Sequence, residues 1–292
     1  MQGIDIGGTR LVWFEEGSGE PVVLVHGSAS DYRTWHAQRD VLAEEFRVIT
    51  YSRRYHWPND PIPAGMDYSM AQHVEDLRQV LAALHAAPAH LVGHSYGGFL
   101  CLLLALEDPS LVRSLVLIEP PVLTLFVSST PTPLELARVI LTRPRTAAAI
   151  LRFGARGVAP AARAFRRGDP DSAVRIFGDA VFGSGGYDRL SDARKAQVRD
   201  SISNIRAELG SGFLPLDPPR LKALHVPVQL VTGEETVGLF RLLTAHLEEL
   251  LPHNERVEIP GAHHLLHEDN PAAFTSALLS FLRRHREWRW PG

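Results

Sequence analysis

Residues 90–98 read HLVGHSYGG, an apolar run followed by a tight turn and the start of a new segment. The centre of this stretch, residues 93–97, fits the pattern G-x-S-x-G. Within a strand–turn–helix frame, this pattern places the serine on a sharp, strained turn with its Oγ above a sheet. The flanking glycines leave room where the strand and helix backbones approach each other. The stretch therefore predicts that Ser95 is a nucleophile.

Strand and helix patterns alternate on both sides of this turn. The predicted strands are 11–14, 21–25, 46–51, 90–92, 115–118, 226–231 and 256–259, and the predicted helices are 31–45, 69–84, 99–106, 237–251 and a last one from about 270. Such alternation is typical of a parallel sheet with helices on both faces. The sequence thus predicts an α/β fold with a mostly parallel, doubly wound sheet.

The alternation is interrupted once, between residues 120 and 224. This segment is rich in Ala, Arg and Leu, is broken by Pro and Gly, and has no clear strand pattern. An insertion of this length between two core strands forms a subdomain rather than a loop. We expect residues 1–119 and 225–292 to form the core, and residues 120–224 to form an inserted helical cap.

Bulk composition narrows the classes of function. The chain has 292 residues, 45% hydrophobic and 22% charged, with a net charge of −3, which is ordinary for a globular protein. Without a basic excess, neither nucleic acid nor an anionic membrane is an expected partner. The single cysteine, Cys101, indicates a reducing compartment, and no signal peptide or apolar run of about 18 residues is found. We expect a soluble cytoplasmic protein.

Two motifs together resemble a known family. The stretch LVGHSYGG and the upstream VVLVHG, residues 22–27, resemble the α/β-hydrolase family, and the resemblance covers nearly the whole chain outside residues 120–224. It implies a serine hydrolase that needs no cofactor or metal. It also implies an oxyanion hole formed by the backbone N–H groups of Ser28 and Tyr96. Each such donor typically stabilises the transition state by about 3 kcal/mol.

Three histidines lie in the stretch PGAHHLLH, residues 260–267. The family pattern places the general base seven residues before a proline, and counting back from Pro271 gives His264; His263 is the alternative. His263 and His267 are also four residues apart, as two metal ligands on a helix would be. The Pro–Gly pair argues for a loop instead, and we expect His267 at the entrance of the site or in solvent.

The acid of a triad has more than one candidate. The family's commonest acid follows the strand at 226–231 as G-x-x-D, and that register gives Thr236 here. Some relatives, including certain lactonases and the haloalkane dehalogenases, take the acid from the end of the preceding strand, which is Glu119 in this chain. Sites in open parallel sheets lie beyond the carboxyl ends of the strands. We therefore prefer Glu119, with Glu234 or Glu235, or no acid at all, as alternatives.

These assignments predict a triad of Ser95, His264 and Glu119 that hydrolyses a hydrophobic carboxylic ester or lactone through an acyl-enzyme. The apolar cap residues expected to form its pocket are Val122, Leu125, Phe126, Leu151, Phe153, Phe177, Val181 and Phe182. Three alternative functions stay open, because fold does not determine reaction: carbon–carbon bond hydrolysis, other cofactor-free chemistry, and a small-molecule receptor that retains the triad. The oligomeric state also stays open, since the sequence predicts neither a monomer nor a homo-oligomer. Residues 52–59 are either a pocket rim or a structural loop.

Overall fold

The computed structural model describes residues 2–291 and contains one eight-stranded sheet. Its strands are β1 (Gln2–Ile6), β2 (Thr9–Glu16), β3 (Pro21–Val25), β4 (Arg47–Tyr51), β5 (Ala89–His94), β6 (Val112–Ile118), β7 (Val228–Gly233) and β8 (Asn254–Ile259). They lie in the order β1-β2-β4-β3-β5-β6-β7-β8. β2 pairs antiparallel with β1 and β4, and all other pairs are parallel. The prediction of a mostly parallel α/β sheet is confirmed.

Helices cover the sheet and fill the long connection between β6 and β7. Three helices precede β6: α1 (His36–Ala43), α2 (Met70–Ala83) and α3 (Tyr96–Glu107). The connection contains α4 (Pro133–Thr142), α5 (Pro144–Phe153), α6 (Ala159–Arg166), α7 (Pro170–Phe182), α8 (Gly186–Arg189), α9 (Asp192–Asp200), α10 (Ile202–Ser211) and α11 (Pro218–Lys222). α12 (Gly238–Leu250) follows β7, and α13 (Leu266–Asp269) and α14 (Pro271–Arg284) follow β8. None of the helices between residues 2 and 291 has the length and apolar content needed to cross a bilayer.

The central strands are buried on both faces, which explains their continuous apolar runs. Alternate residues of β3 join different core clusters: Val23 and Val25 pack on one side, and Val22 and Leu24 on the other. Trp35 is fully buried in the second cluster. It ends a 3₁₀ turn, Tyr32–Trp35, that replaces the first part of the helix predicted from residue 31.

Close backbone contacts explain the glycines around the β5–α3 turn. A Cβ atom on Gly97 would lie 2.3 Å from the carbonyl oxygen of Val25 and 2.5 Å from that of His26. On Gly93 it would lie 2.5 Å from the Cα of Gly98. These neighbours are backbone atoms of the sheet and the turn, so they cannot move aside as a flexible side chain would. The turn therefore needs glycine at these positions, because a Cβ atom would overlap the neighbouring backbone.

We expect Gly97→Ala to lower the free energy of unfolding by at least about 2 kcal/mol, because overpacking against backbone forces the turn to shift. Gly210→Ala in α10 is the matched control, since nothing lies within 4 Å of its added Cβ. Its effect should be neutral or stabilising by up to about 1 kcal/mol. Urea denaturation measures both, and equal stability of the two variants would contradict the packing argument.

Candidate active site

Ser95 lies on the turn between β5 and α3, with φ +50° and ψ −118°. This backbone conformation is costly for a non-glycine residue and persists only where surrounding contacts impose it. One such contact is the Ser95 N–H, which donates to the carbonyl oxygen of Ile118 at the end of β6 (2.8 Å). α3 begins at the next residue, Tyr96. The positive end of the α3 dipole is therefore beside Ser95.

Glu119 immediately follows β6, is fully buried, and also has a positive φ, +45°. Its Oε1 accepts a hydrogen bond from the backbone N–H of Gly233, and its Oε2 accepts one from the Thr236 hydroxyl, both at 2.8 Å. Its own N–H donates to the carbonyl oxygen of Val231 (3.2 Å). Both the backbone and the side chain of Glu119 are thus held by β7 and the turn that follows it.

His264 lies in the loop after β8 and is 2% exposed. Its Nδ1 lies 2.6 Å from Oε2 of Glu119. Its ring stacks on Phe240 with the centroids 4.0 Å apart, and its carbonyl oxygen accepts a hydrogen bond from Nε2 of His94 (2.9 Å). An Nδ1–H donated to the carboxylate leaves Nε2 of His264 as the basic ring nitrogen.

A cavity of about 320 Å³ brings the predicted residues together. Ser95, His264, Ser28 and Tyr96 all line it, whereas Glu119 lies behind His264. The backbone N–H groups of Ser28 and Tyr96 donate to no other protein group in the described chain. Both donors are therefore free to bind an oxyanion formed next to Ser95.

The family model described as the alpha/beta hydrolase family matches residues 22–277. The chain belongs to this family. The resemblance drawn from LVGHSYGG and VVLVHG is confirmed, and so is the α/β-hydrolase fold that it implied.

Several relatives of this alpha/beta hydrolase carry different names. Bifunctional epoxide hydrolase 2 of Sus scrofa is 26% identical over 306 residues, which cover 94% of this chain and 53% of that protein. The putative carbamate hydrolase RutD of Pantoea ananatis is 27% identical over 279 residues, covering 94% of this chain and 92% of that one. A thermophilic esterase of Thermogutta terrifontis superposes with a TM-score of 0.75 at 21% identity, covering 98% of this chain and all of that one. The chain spans about half the length of the Sus scrofa protein.

The cavity wall of this hydrolase is mostly apolar and comes largely from the connection between β6 and β7. Six of the apolar residues that line it are Ile150, Phe153, Phe177, Val181, Phe182 and Phe213. Four of them were expected, but Val122, Leu125, Phe126 and Leu151 do not line the cavity. Leu151 is 45% exposed, because it lies on the outer side of α5 while Ile150 and Phe153 lie on the inner side.

The alternative base and acids lie at the surface. His263 is partly exposed, with Nε2 at 3.3 Å from Glu235 and Nδ1 at 3.7 Å from Asp269. Glu234 accepts a hydrogen bond from the backbone N–H of Gly261 (2.8 Å). None of these side chains lines the cavity. The geometry therefore favours His264 and Glu119 as the interacting pair.

His267 is fully buried, so the expectation that it would lie at the entrance or in solvent is wrong. Its Nε2 lies 2.7 Å from the Thr34 hydroxyl, and its ring packs against Trp35 with the centroids 4.6 Å apart. Because His263 faces the surface and His267 the interior, the two imidazoles share no ligand position. Within residues 2–291, no group of three or more potential ligands is arranged to hold a metal ion.

The loop of residues 52–59 is structural, and it contacts the helical connection. Arg53 is 1% exposed and forms an ion pair with Glu208 of α10 (2.7 Å). Its guanidinium also lies 4.7 Å from the ring centroid of Tyr96.

The sequence did not predict the role of Glu208, since nothing near it in the chain indicates a distant arginine. It also missed Thr236 as a donor, although its position in the usual acid register was a signal.

Buried neutral histidines are numerous in this protein. Burial is the main cause that lowers the pKa of six of them: His26, His56, His73, His94, His90 (to about 3) and His267 (to about 4). The positive charge of Arg53 lowers those of His26, His56 and His73 further. In the unfolded chain, each histidine takes up a proton near pH 6.5. Their contribution to stability is therefore complete above pH 6.5 and is lost as the pH falls from 6.5 towards the lowered pKa of each histidine in the folded protein.

We expect the free energy of unfolding to fall steeply between pH 7 and pH 5. His73→Leu removes one buried histidine whose two ring nitrogens have no hydrogen-bond partner among residues 2–291. It should reduce the slope by up to about 1.4 kcal/mol per pH unit, because one fewer proton distinguishes the two states. Urea denaturation at pH 7, 6 and 5 measures both slopes. Identical pH profiles for the wild type and the variant would contradict the assignment of His73 as neutral.

Proposed function

We propose that this alpha/beta hydrolase is a serine hydrolase that cleaves a hydrophobic carboxylic ester or lactone through an acyl-enzyme. The observation that carries the proposal is the 2.6 Å contact between Nδ1 of His264 and Oε2 of Glu119, both buried, beside a cavity lined by Ser95. A nucleophile, a base and an acid that orients the base are the parts that acyl transfer requires.

In the first half-reaction, the Oγ of Ser95 attacks the carbonyl carbon while Nε2 of His264 takes its proton. The carbonyl oxygen becomes an oxyanion and accepts hydrogen bonds from the N–H groups of Ser28 and Tyr96. Glu119 holds the tautomer with hydrogen on Nδ1 and stabilises the imidazolium. The imidazolium then protonates the leaving alkoxide, and the acyl group remains on Ser95.

In the second half-reaction, a water molecule gives its proton to His264 and attacks the acyl carbon. Collapse of the second tetrahedral intermediate returns the proton to the Oγ of Ser95 and releases the carboxylic acid. With a lactone, the leaving alcohol and the acid are parts of one molecule, and the same steps open the ring.

Thr236 has a positioning role in this proposal. It occupies the register where the family commonly places its acid, and its hydroxyl donates to the same Oε2 of Glu119 that contacts His264. With the Gly233 N–H on Oε1, the hydroxyl holds the carboxylate in one orientation. A short polar side chain at 236 thus supports the acid from the neighbouring strand.

The apolar cavity supports the substrate class. Phenylalanines from α5 and α7 and from the segment after α10 line it, so burial of an aliphatic or aromatic substrate group there removes apolar surface from water. The esterase from Thermogutta terrifontis shares the fold. At that identity, the likeness is to the fold alone, and the choice of an ester or lactone rests on the cavity and the triad geometry.

We expect turnover of p-nitrophenyl esters to rise from acetate to butyrate and hexanoate, since each buried methylene contributes up to about 0.8 kcal/mol. A fluorophosphonate should label Ser95, and Ser95→Ala should abolish labelling and lower kcat by about 10⁴ or more. Ser128→Ala is the matched control, because Ser128 lines the same cavity. It should be labelled and active. Peptide mass spectrometry and absorbance at 405 nm, the standard p-nitrophenolate signal, give the readouts.

Labelling at another serine, or an active Ser95→Ala variant, would overturn the mechanism. Ser95 labelling without measurable turnover of any ester or lactone would instead favour a receptor that retains the triad. A strict preference for acetate would contradict the assigned substrate class.

A second series tests the acid. Glu119→Gln should lower kcat by about 10²- to 10⁴-fold, because the amide can select the wrong tautomer and cannot stabilise the imidazolium. Thr236→Val should lower kcat about tenfold with little change in KM, since a hydrogen bond to a charged group contributes about 1.5 kcal/mol. Thr236→Ser, which keeps the hydroxyl, should restore most of the rate.

Glu234→Gln and Glu235→Gln are the controls and should stay within about threefold of the wild type. If Glu235→Gln strongly lowers kcat while Glu119→Gln leaves it near the wild-type value, the triad acid lies in the loop after β7. Equal losses in Thr236→Val and Thr236→Ser would show that the hydroxyl does not position the acid.

A further inference from the structure

Leucine side chains project into solvent from the outer side of α4 and α5. Of the seven large hydrophobic residues exposed in the described chain, four lie there: Leu134, Ile140, Leu141 and Leu151. Leu134 and Leu141 are 81% and 82% exposed, and their spacing of seven residues places them on one side of α4. Val139, on the opposite side, is 3% exposed. α4 therefore buries apolar side chains on one side and exposes further apolar side chains on the other.

α4 is a well-formed helix rather than a frayed segment. The Thr132 hydroxyl accepts a hydrogen bond from the Glu135 N–H (3.2 Å), and the Glu135 carboxylate accepts one from the Thr132 N–H (2.7 Å). This capping box, with Pro133 in the first turn, fixes where the helix starts. The helix also packs against α5. Exposure of the leucines is thus a property of the folded surface.

The same surface is basic. Residues 133–153, which form α4 and α5, contain four arginines and one glutamate, so their formal charge is +3, although the whole chain has a net charge of −3. Arg143 pairs with Glu249 (2.5 Å). Arg138, Arg145 and Arg152 are exposed, and no carboxylate of the described chain lies within ion-pair distance of them. Free guanidinium groups therefore alternate with exposed leucines.

We propose that the outer side of α4 and α5, called here the α4–α5 face, docks on an anionic lipid surface. Leucine side chains fit the apolar boundary of a bilayer, and neighbouring arginines fit lipid phosphates, to which guanidinium binds in a bidentate way. The expectation of no membrane partner rested on whole-chain charge. Net charge averages over the surface, and this face departs from that average.

The positive charge of the α4–α5 face also favours an anionic lipid surface over a second copy of the chain as the partner. The commonest dimer has twofold symmetry, in which the same patch meets itself. The free arginines of one copy, Arg138, Arg145 and Arg152, would then lie on the same interface as those of the other copy, and like charges repel. An anionic lipid surface supplies the opposite charge together with an apolar layer.

The α4–α5 face lies on the outer side of the cavity wall, so docking would bring the cavity close to the lipid. Ile150 and Phe153 line the cavity, whereas Leu151 and Arg152, on the same helix, face outward. A docked molecule would therefore hold the outer wall of its apolar cavity against the bilayer, where hydrophobic esters partition. This use rests on the proposed function, but the docking itself does not.

The test is co-sedimentation with vesicles of phosphatidylcholine alone and of an equimolar mixture with phosphatidylglycerol, using the full chain with Ser95→Ala so that no lipid is hydrolysed. We expect binding to the anionic vesicles only, weakening as salt rises from about 50 to 500 mM. The double variant Leu134→Ser with Leu141→Ser should bind at least about tenfold more weakly. Reversing Arg138, Arg145 and Arg152 to Glu should weaken binding by at least about 100-fold.

Val41→Ser with Met66→Ser removes two exposed hydrophobic residues elsewhere and should bind as the parent does. Circular dichroism confirms that each variant is folded. Absence of binding, equal binding to both vesicle types, or equal losses in the control variant would overturn the proposal. Dimerisation in analytical ultracentrifugation that the Leu134→Ser, Leu141→Ser variant abolishes, without vesicle binding, would assign the face to a second copy instead. Because Ser95→Ala is used throughout, failure here leaves the hydrolase proposal untouched.

Discussion

The buried carboxylate of Glu119 ties the sheet to the loops above it. A carboxylate removed from water needs hydrogen-bond donors, and this one has the Gly233 N–H, the Thr236 hydroxyl and the His264 imidazole. These donors come from the end of β7, the turn after it and the loop after β8. Loss of any one of them would leave a buried charge partly unpaired. The relative positions of three chain segments therefore depend on this single side chain.

Parallel strand order explains why the other site residues lie nearby. β5, β6 and β7 are neighbours and run in the same direction, so the residues that follow them meet at one edge of the sheet. Ser95 and Glu119 both have positive φ angles at that edge. Hydrogen bonds hold each of them: the Ser95 N–H donates to Ile118, and the Glu119 N–H donates to Val231. The sheet thus offsets the cost of two unfavourable backbone conformations.

The helical connection between β6 and β7 has two distinct sides. Its inner side closes an apolar cavity over Ser95 and is tied to the core by the buried ion pair of Arg53 and Glu208. Its outer side carries exposed leucines and arginines. α5 alone shows the division, with Phe153 inside and Leu151 outside. This short helix therefore has one side in the cavity wall and the other in solvent.

Local sequence determined much of this protein. The strand–turn–helix pattern around Ser95 and the alternation of strands and helices follow from residues close together in the chain, and the structure confirms the elements. The family pattern favoured His264 over His263 by its distance from Pro271, and the structure places His264 against Glu119. Such features are readable because backbone conformation and helix or strand period act over a few residues.

Only the tertiary structure decided which distant side chains meet. Thr236 reaches Glu119 across 117 residues of sequence, and Arg53 reaches Glu208 across 155. His267, expected near solvent, is buried because Thr34 and Trp35 cover it from a segment more than 230 residues away. Contacts of this kind depend on how the whole sheet and its helices pack, and no local period encodes that packing.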